Sequence, residues 1–102
     1  MNTITTDQLK ARIDAGEQLH LVDVREPHER TEYNIGGIHV PLGKIQAYQL
    51  EDLEDLKNEE LIIYCRSGNR SGQAALILDQ AGFTNTVNVV GGMLNWREKF
   101  NK

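Results

Sequence analysis

Residues 61–71 read Leu-Ile-Ile-Tyr-Cys-Arg-Ser-Gly-Asn-Arg-Ser, and this stretch predicts a strand that ends in a tight loop. Ile62, Ile63 and Tyr64 are β-branched or aromatic, as is typical of a buried strand. Residues 73–80 are rich in helix formers and carry apolar side chains at helical spacing. Because a helix follows the loop so closely, the backbone N–H groups of the loop and of the first helical turn are free to form an anion pocket.

Cys65 is the only cysteine of the chain, and we expect it at the floor of this pocket. A free thiol has a pKa of about 8.5, and a helix N-terminus with nearby arginines lowers it by roughly one to several units. Arg66 and Arg70 follow Cys65 closely in the loop. We therefore predict an activated thiolate nucleophile. The alternative is a core cysteine, because free cysteine is among the most buried residue types.

Composition favours one domain that spans residues 1–102, because a chain of 102 residues with 39% hydrophobic content has room for one core. The net charge of −4 gives no sign of a nucleic-acid or phospholipid partner. A single cysteine excludes an internal disulfide and a cysteine-based metal cluster, and it suits thiol chemistry in a reducing compartment.

The first residues have no basic region followed by an apolar run, and no stretch approaches the roughly 18 apolar residues of a membrane span. We expect a cytoplasmic protein with no membrane partner. A monomer is expected, because no apolar stripe remains after the helices and strands are assigned.

Strand-like and helix-like segments alternate along the chain. We predict strands at residues 2–4, 19–24, 38–40, 61–64 and 86–90, and helices between Thr5 and Gly16, at 26–33, at 43–57 as one or two helices, at 73–80 and at 92–99. This order predicts an α/β fold with a central, mostly parallel, five-stranded sheet and helices on both faces. The C-terminal ends of parallel strands share one rim, where a site is assembled.

Four further candidates lie at strand ends on this rim. Asp23 is expected to tie a neighbouring loop through backbone N–H bonds rather than to transfer protons. Arg25 either reaches across the rim toward the Cys65 loop or forms a surface ion pair with Glu26 or Glu29. Gly91 and Gly92 would let the chain turn close to the loop without a Cβ.

The remaining loop residues are candidates for binding the substrate anion: Arg66, Ser67, Gly68, Asn69, Arg70 and Ser71. The hydroxyls of Ser67 and Ser71 would donate to an anionic sulfur, although Ser71 is also a typical helix-start residue. The three histidines share no metal-ligand spacing, so we predict no metal site and interpret them as surface or structural residues.

Four motifs resemble those of the single-domain rhodaneses, the sulfurtransferases that carry sulfur as a cysteine persulfide. They are the loop at residues 65–71, Leu-Val-Asp-Val-Arg-Glu at 21–26, the segment at 32–42, and Val-Gly-Gly-Met-Leu-Asn-Trp at 90–96. The segment at 32–42 departs from the family's usual pattern, with Tyr33-Asn34 in place of Gly-His and Gly37-Ile38-His39 in place of Gly-Ala-x.

The resemblance implies a three-layer rhodanese-like fold and a sulfurtransferase without metal or organic cofactor. The implied reaction moves a sulfane sulfur from thiosulfate or a persulfide donor, through a Cys65 persulfide, to cyanide, a thiol or a protein acceptor. A protein is therefore an expected partner as donor or acceptor.

Two other functions remain open at this point. A low-molecular phosphatase or arsenate reductase also uses a cysteine and an arginine around an N–H-lined loop. Protein phosphatases resemble Cys-x5-Arg, whereas only four residues separate Cys65 from Arg70 here, which favours a smaller ring around a single sulfur atom. A non-catalytic interaction module is the other alternative, and the presence of Cys65 argues against it.

Overall fold

Strands and helices alternate along residues 1–100, the part of the chain that the computed structural model describes. The strands are β1 (Asn2–Thr5), β2 (His20–Asp23), β3 (Ile38–His39), β4 (Leu61–Tyr64) and β5 (Thr86–Val90). The helices are α1 (Thr6–Asp14), α2 (Pro27–Glu32), α3 (Leu42–Gln46), a 3-10 helix at Glu51–Leu56, α4 (Asn69–Gln80) and α5 (Gly92–Phe100). The last two residues of the predicted 1–102 domain lie outside the described residues.

The five strands form one sheet in the order β1-β5-β4-β2-β3, and all neighbouring pairs are parallel. The predicted α/β class is confirmed, and the sheet is wholly parallel. The central position of β4, between β5 and β2, places its C-terminal end in the middle of the rim. Val22 of β2 and Asn88 of β5 both pair with Ile63, so three strand ends come together beside Cys65.

Side chains that alternate along β4 enter two different cores, as a strand covered on both faces requires. Ile62 and Tyr64 pack with Leu9 of α1 and Trp96 of α5. On the other face, Leu61, Ile63 and Cys65 pack with residues of α3, the 3-10 helix and α4, namely Ile45, Leu53, Ala74, Ala75 and Leu78. Helices therefore cover both faces of the sheet, as predicted.

Residues 43–57 form two short elements, and the break between them lies near Tyr48, whose φ of 57° is the only positive non-glycine value within the described residues. The second element is a 3-10 helix. Leu50, Leu53 and Leu56 are spaced by three, and three residues per turn keep such a spacing on one face. Leu53 is accordingly fully buried.

The start of α1 follows its sequence pattern. Gln8 N donates to Thr5 Oγ1 at 3.1 Å, and Thr5 N donates to Gln8 Oε1 at 2.9 Å. These two bonds form a capping box on the Thr-x-x-Gln sequence, which satisfies two N–H groups at the helix start. Residues 1–100 contain no helix that is both long and apolar enough to span a bilayer.

Gly36 and Gly37 allow a direct stability test in the turn before β3. Both have φ values near 90°, at +93° and +89°. A Cβ on Gly36 would meet nothing within 4 Å, whereas a Cβ on Gly37 would lie 2.6 Å from the Leu21 Cβ and still closer to the Leu21 carbonyl. We expect Gly36→Ala to lower the free energy of unfolding by about 1 kcal/mol through backbone strain alone. Gly37→Ala should lower it by roughly 3 kcal/mol, because a clash with β2 is added.

Urea unfolding of the two variants measures this difference. Equal losses of stability would contradict the close approach of Gly37 to β2.

Candidate active site

The loop after β4 wraps backbone N–H groups around one sulfur atom. Gly68, at the N-cap of α4, has a φ of 102°, a left-handed conformation that glycine adopts without strain. Gly68 N donates to Cys65 Sγ at 3.1 Å, and Ser71 N donates to it at 3.3 Å. Helix α4 begins at Asn69, four residues before the helix-forming run at 73–80, so the last three residues of the predicted loop form its first turn.

Further N–H groups of this loop remain available. Within residues 1–100, the backbone N–H groups of Ser67, Asn69 and Arg70 donate to no oxygen atom. The first N–H groups of a helix have no partner inside the helix, and together they form a site for negative charge. The loop can therefore stabilise an anion on or next to the Cys65 sulfur.

The first turn of α5 fixes the opposite side of this loop. Met93 N and Leu94 N donate to the carbonyls of Cys65 and Arg66, each at 2.9 Å. Gly92 has a φ of +55°, and a Cβ on it would lie 2.5 Å from both of those carbonyl oxygens. Gly91 has a φ of +85°, and its Cβ would lie 2.8 Å from the Asn95 Cβ. Gly92 thus lets α5 come close enough to bind the loop carbonyls, whereas a Cβ on Gly91 would collide with Asn95 of α5 itself.

The surroundings of Cys65 alter the pKa of its thiol in opposite directions. Burial raises the pKa, because a thiolate loses solvation. Hydrogen bonding with the Ser71 hydroxyl and from the N–H groups of Ser71 and Gly68 lowers it, and these bonds outweigh burial, so the pKa lies below its usual value. Cys65 is at the same time fully buried, and it packs against the core on the α4 side. The sulfur therefore has hydrocarbon on one side and N–H donors on the other.

Ser71 and Asn88 form a buried polar pair beside the sulfur. Ser71 Oγ lies 3.3 Å from Cys65 Sγ and donates to Asn88 Oδ1 at 2.5 Å, while Asn88 Nδ2 donates to the Gly68 carbonyl at 3.2 Å. Sequence reasoning missed Asn88. Its signal was a polar side chain inside the apolar strand 86–90, because a buried amide requires hydrogen-bond partners.

Arg70 is engaged by a residue of α2. Its guanidinium forms a bidentate ion pair with Glu29, at 2.7 and 2.8 Å. The hydrogen bonds from Arg70 are the main reason why the pKa of Glu29 falls to about 2. Arg70 therefore contributes positive charge near Cys65, while its hydrogen-bonding edge is occupied.

Asp23 and Arg25 form a second ion pair, which is buried at the end of β2. Arg25 Nε and Nη2 donate to the Asp23 carboxylate at 2.9 Å each, and the Arg25 backbone N donates to Asp23 Oδ1 at 3.0 Å. Burial raises the pKa of Asp23, but the bonds from Arg25 outweigh it and hold that pKa below its usual value. Of the two alternatives for Arg25, the surface ion pair with Glu26 or Glu29 is wrong, because the guanidinium is bound to Asp23. Arg25 also lines the depression beside the loop, and its reach to the Cys65 loop stays a prediction.

An open depression with a volume of about 460 Å³ lies beside the loop. Its lining residues come from the end of β2, α2, the loop and α5: Arg25, His28, Glu29, Glu32, Arg66, Met93, Leu94 and Arg97. Cys65 does not line it. Arg66 is exposed there, and within the described residues it forms no ion pair. Ser67 and Asn69 are exposed on the outer side of the loop.

No group of three or more His, Cys, Asp and Glu side chains within residues 1–100 is arranged to hold a metal ion. His39 Nε2 instead bonds the Arg25 carbonyl at 2.7 Å, which is a structural role. The rim presents a thiol, backbone N–H groups and arginines.

The sequence matches one family model and is similar to several known proteins. A sequence model of the family described as "Rhodanese-like domain" matches residues 5–99. The chain is 44% identical over 94 residues to YtwF of Bacillus subtilis, which covers 91% of this chain and 87% of that protein. It is 34% identical over 97 residues to the sulfurtransferase of Allochromatium vinosum, which covers 94% of this chain and 88% of that protein.

The curated relatives differ in length, and solved structures also match almost the whole chain. The chain spans 51% of YrkF of Bacillus subtilis, to which it is 37% identical over 97 residues. The crystal structure of a rhodanese-like domain protein from Staphylococcus aureus superposes with a TM-score of 0.80 at 34% identity. That match covers 94% of this chain and 91% of the other.

The Glu29–Arg70 pair predicts a pH-dependent contribution to stability. The pKa of Glu29 lies at about 2 in the folded protein and at 4.5 in the unfolded reference. A lowered acid pKa stabilises the fold above the unfolded value and loses this effect as the pH falls toward the folded value. We expect Glu29→Gln to lower the free energy of unfolding by about 1 kcal/mol at neutral pH, because solvent partly screens the pair. The difference from the unmodified protein should shrink as the pH falls from about 4.5 toward 2.

Urea unfolding at a series of pH values measures this effect. Glu32→Gln is the matched control, because Glu32 is 69% exposed and lies 3.4 Å from Arg97. It should change stability by only a few tenths of a kcal/mol, as is usual for exposed pairs. A pH-independent difference for Glu29→Gln would contradict the lowered pKa.

Proposed function

The chain belongs to the rhodanese-like family and is a sulfurtransferase of the rhodanese type, and from this premise we propose the path that the sulfur takes. The Cys65 thiolate accepts a sulfane sulfur from a small anionic donor such as thiosulfate, or from a persulfide. The resulting Cys65 persulfide delivers the sulfur to cyanide, a thiol or a cysteine of a protein. No metal and no organic cofactor takes part.

One observation carries this proposal. Gly68 N and Ser71 N both donate to Cys65 Sγ, at 3.1 and 3.3 Å. Hydrogen bonds to the charged form of a thiol favour the thiolate, which is the nucleophilic form. A cysteine that only filled the core would not require two backbone donors directed at its sulfur.

In the first step the Cys65 thiolate attacks the outer sulfur of the donor. A bond forms between the two sulfur atoms, and the bond inside the donor breaks. With thiosulfate, sulfite leaves with the electron pair of that bond. The negative charge of the enzyme then lies on the outer sulfur of the persulfide. The N–H groups of Ser67, Asn69 and Arg70 have no oxygen acceptor within residues 1–100, and they are available to stabilise it.

In the second step the acceptor attacks the outer sulfur. The sulfur-sulfur bond breaks, its electron pair returns to Cys65, and the thiolate is regenerated. With cyanide the product is thiocyanate. The loop N–H groups stabilise the negative charge both in the Cys65 thiolate and in the Cys65 persulfide. They act on sulfur as the N–H groups of an oxyanion hole act on oxygen.

The approach of the donor depends on Arg66. Cys65 has no exposed surface, so a donor reaches the sulfur only when side chains at the mouth of the loop move. Arg66 is exposed between the loop and the depression, and its positive charge attracts an anion. The depression is wide enough for a larger thiol or a segment of a partner protein, which supports a protein donor or acceptor.

The geometry disfavours the phosphatase alternative. A phosphate dianion needs the fork of an arginine at the end of the loop, because a guanidinium binds such anions in a bidentate manner. The fork of Arg70 is occupied by Glu29. The groups that contact the Cys65 sulfur are then backbone N–H groups and the Ser71 hydroxyl, which suits a single charged sulfur atom.

Cys65→Ser should abolish sulfur transfer. A serine retains hydrogen bonding to Gly68 N and Ser71 N but is not a thiol nucleophile, so cyanide-dependent formation of thiocyanate from thiosulfate should fall to background. Mass spectrometry of the unmodified protein after thiosulfate treatment should show about 32 Da added on Cys65, and the variant should show none.

Thermal unfolding of Cys65→Ser confirms that the variant is folded, and p-nitrophenyl phosphate is the counter-substrate. Retained thiocyanate formation in Cys65→Ser, or phosphate release above background by the unmodified protein, would contradict the proposed chemistry.

Arg66→Ala should weaken binding of the anionic donor more than it slows the chemistry. We expect a rise in KM for thiosulfate of roughly 3-fold to 10-fold with a smaller change in kcat, because an exposed arginine acts by attraction at long range. The effect should decrease at high ionic strength.

Lys10→Ala is the matched control, because it removes the same charge from the exposed face of α1, away from the depression. The two variants should differ clearly in KM. Equal KM values would exclude Arg66 from recruitment of the donor.

A further inference from the structure

Asn88 closes a ring of hydrogen bonds around the Cys65 sulfur. It lies on β5, in register with Ile63 of β4, and its side chain is buried between the sheet and α4. The ring runs from Sγ to Ser71 Oγ at 3.3 Å, to Asn88 Oδ1 at 2.5 Å, from Asn88 Nδ2 to the Gly68 carbonyl at 3.2 Å, and from Gly68 N back to Sγ at 3.1 Å.

The Gly68 carbonyl fixes the orientation of the Asn88 amide. A carbonyl only accepts hydrogen bonds, so the Asn88 NH₂ group must face it. The oxygen Oδ1 then faces Ser71, and because it also only accepts, the Ser71 hydroxyl must donate to it. The space around the amide is small, since a Cβ on Gly72 would lie 3.3 Å from Asn88 Nδ2.

Ser71 has one hydroxyl proton and two neighbours that compete for it. When this proton is on the Asn88 side, Ser71 presents only a lone pair to Cys65, and the thiol S–H donates to it. When Cys65 loses its proton to solvent, the Ser71 hydroxyl can turn and donate to the thiolate. Asn88 Oδ1 then loses its donor in a buried position, which is unfavourable.

We propose that Asn88 is a positioning residue that competes with the Cys65 sulfur for the Ser71 proton and so limits the stabilisation of the thiolate. The inference rests on the proposed function, in which that thiolate is the nucleophile. A less stabilised thiolate is more basic and more nucleophilic, provided that it is populated at the working pH. In the persulfide the charge moves to the outer sulfur, the inner sulfur no longer needs the Ser71 proton, and the ring can close again. Asn88 thus disfavours the empty thiolate relative to the sulfur-loaded state.

Substitution of Asn88 leaves the charges around the sulfur in place. The charged groups around the loop include Arg66 and Arg70 on the loop and α4, Asp23 and Arg25 at the end of β2, Glu26, Glu29, Arg30 and Glu32 on the side of α2, and Arg97 on α5. None of them bonds to Asn88. A change in the ionisation of Cys65 in an Asn88 variant therefore reports on the Ser71 proton and on the loop itself.

The test is a double-mutant cycle read by the ultraviolet absorbance of the thiolate against pH, in which the thiolate signal comes from one residue because the chain has a single cysteine. We expect Ser71→Ala to raise the titration midpoint by about one pH unit in the Asn88→Ala background, where the hydroxyl serves the thiolate alone. In the unmodified background the same substitution should raise it by less than about half of that, because Asn88 already holds the proton. Equal shifts in the two backgrounds would overturn the proposal.

Asn88→Leu, which keeps the volume of the side chain, repeats the cycle in case the alanine variant does not fold. Thr86→Val is the matched control, because Thr86 is also buried on β5 but bonds Asp79 and not the loop. In the Thr86→Val background, Ser71→Ala should shift the Cys65 titration midpoint as much as it does in the unmodified protein. A larger shift would overturn the proposal, because it would show that any weakening of β5 has this effect. The titration requires no sulfur donor, so its outcome is separate from that of the persulfide measurement, on which the proposed function depends.

Discussion

The site depends on the opposite directions in which the peptide groups of one loop point. After β4 the chain turns so that the N–H groups of Gly68 and Ser71 converge on the Cys65 sulfur. The carbonyls of Cys65 and Arg66 point the other way and are bound by the first N–H groups of α5. This arrangement requires α5 to approach the loop within contact distance, which only a glycine at position 92 allows. A negative sulfur is thus held mainly by backbone dipoles, which need no reorganisation when charge develops.

The arginines around this loop have different roles. Arg25 is buried against Asp23 and stabilises the end of β2, and Arg70 is paired with Glu29 and joins α4 to α2. Arg66 is exposed and forms no ion pair within the described residues, so it is the cation that an incoming anion meets. Arg25 and Arg70 are paired with carboxylates, as is Arg97 of α5 with Glu32, so Arg66 supplies the positive charge at the depression that has no ion-pair partner within the described residues.

The sequence was sufficient for the features that depend on local pattern. The five strands, the capping box at Thr5 and the position of Cys65 at a strand end follow from apolar runs, turn residues and cap chemistry, and the family resemblance is confirmed by the match over residues 5–99. The start of α4 was placed too late, because its first turn is polar and contains a glycine. The intrinsic helix propensity of that turn is low, and one of its N–H groups, that of Ser71, donates to the Cys65 sulfur.

The partners of the charged and polar groups could not be predicted from local pattern. Glu29 and Arg70 are separated by 41 residues and Ser71 and Asn88 by 17, so only the tertiary fold brings each pair together.

Helix α2 lies at the site but not in the hydrophobic core. This helix has no buried residue, yet it supplies Glu29 to the active-site loop and His28, Glu29 and Glu32 to the wall of the depression. Its exposed positions can therefore diverge without a loss of core packing, so natural variation or protein engineering can reshape the entrance to the sulfur while the hydrophobic interior stays as it is.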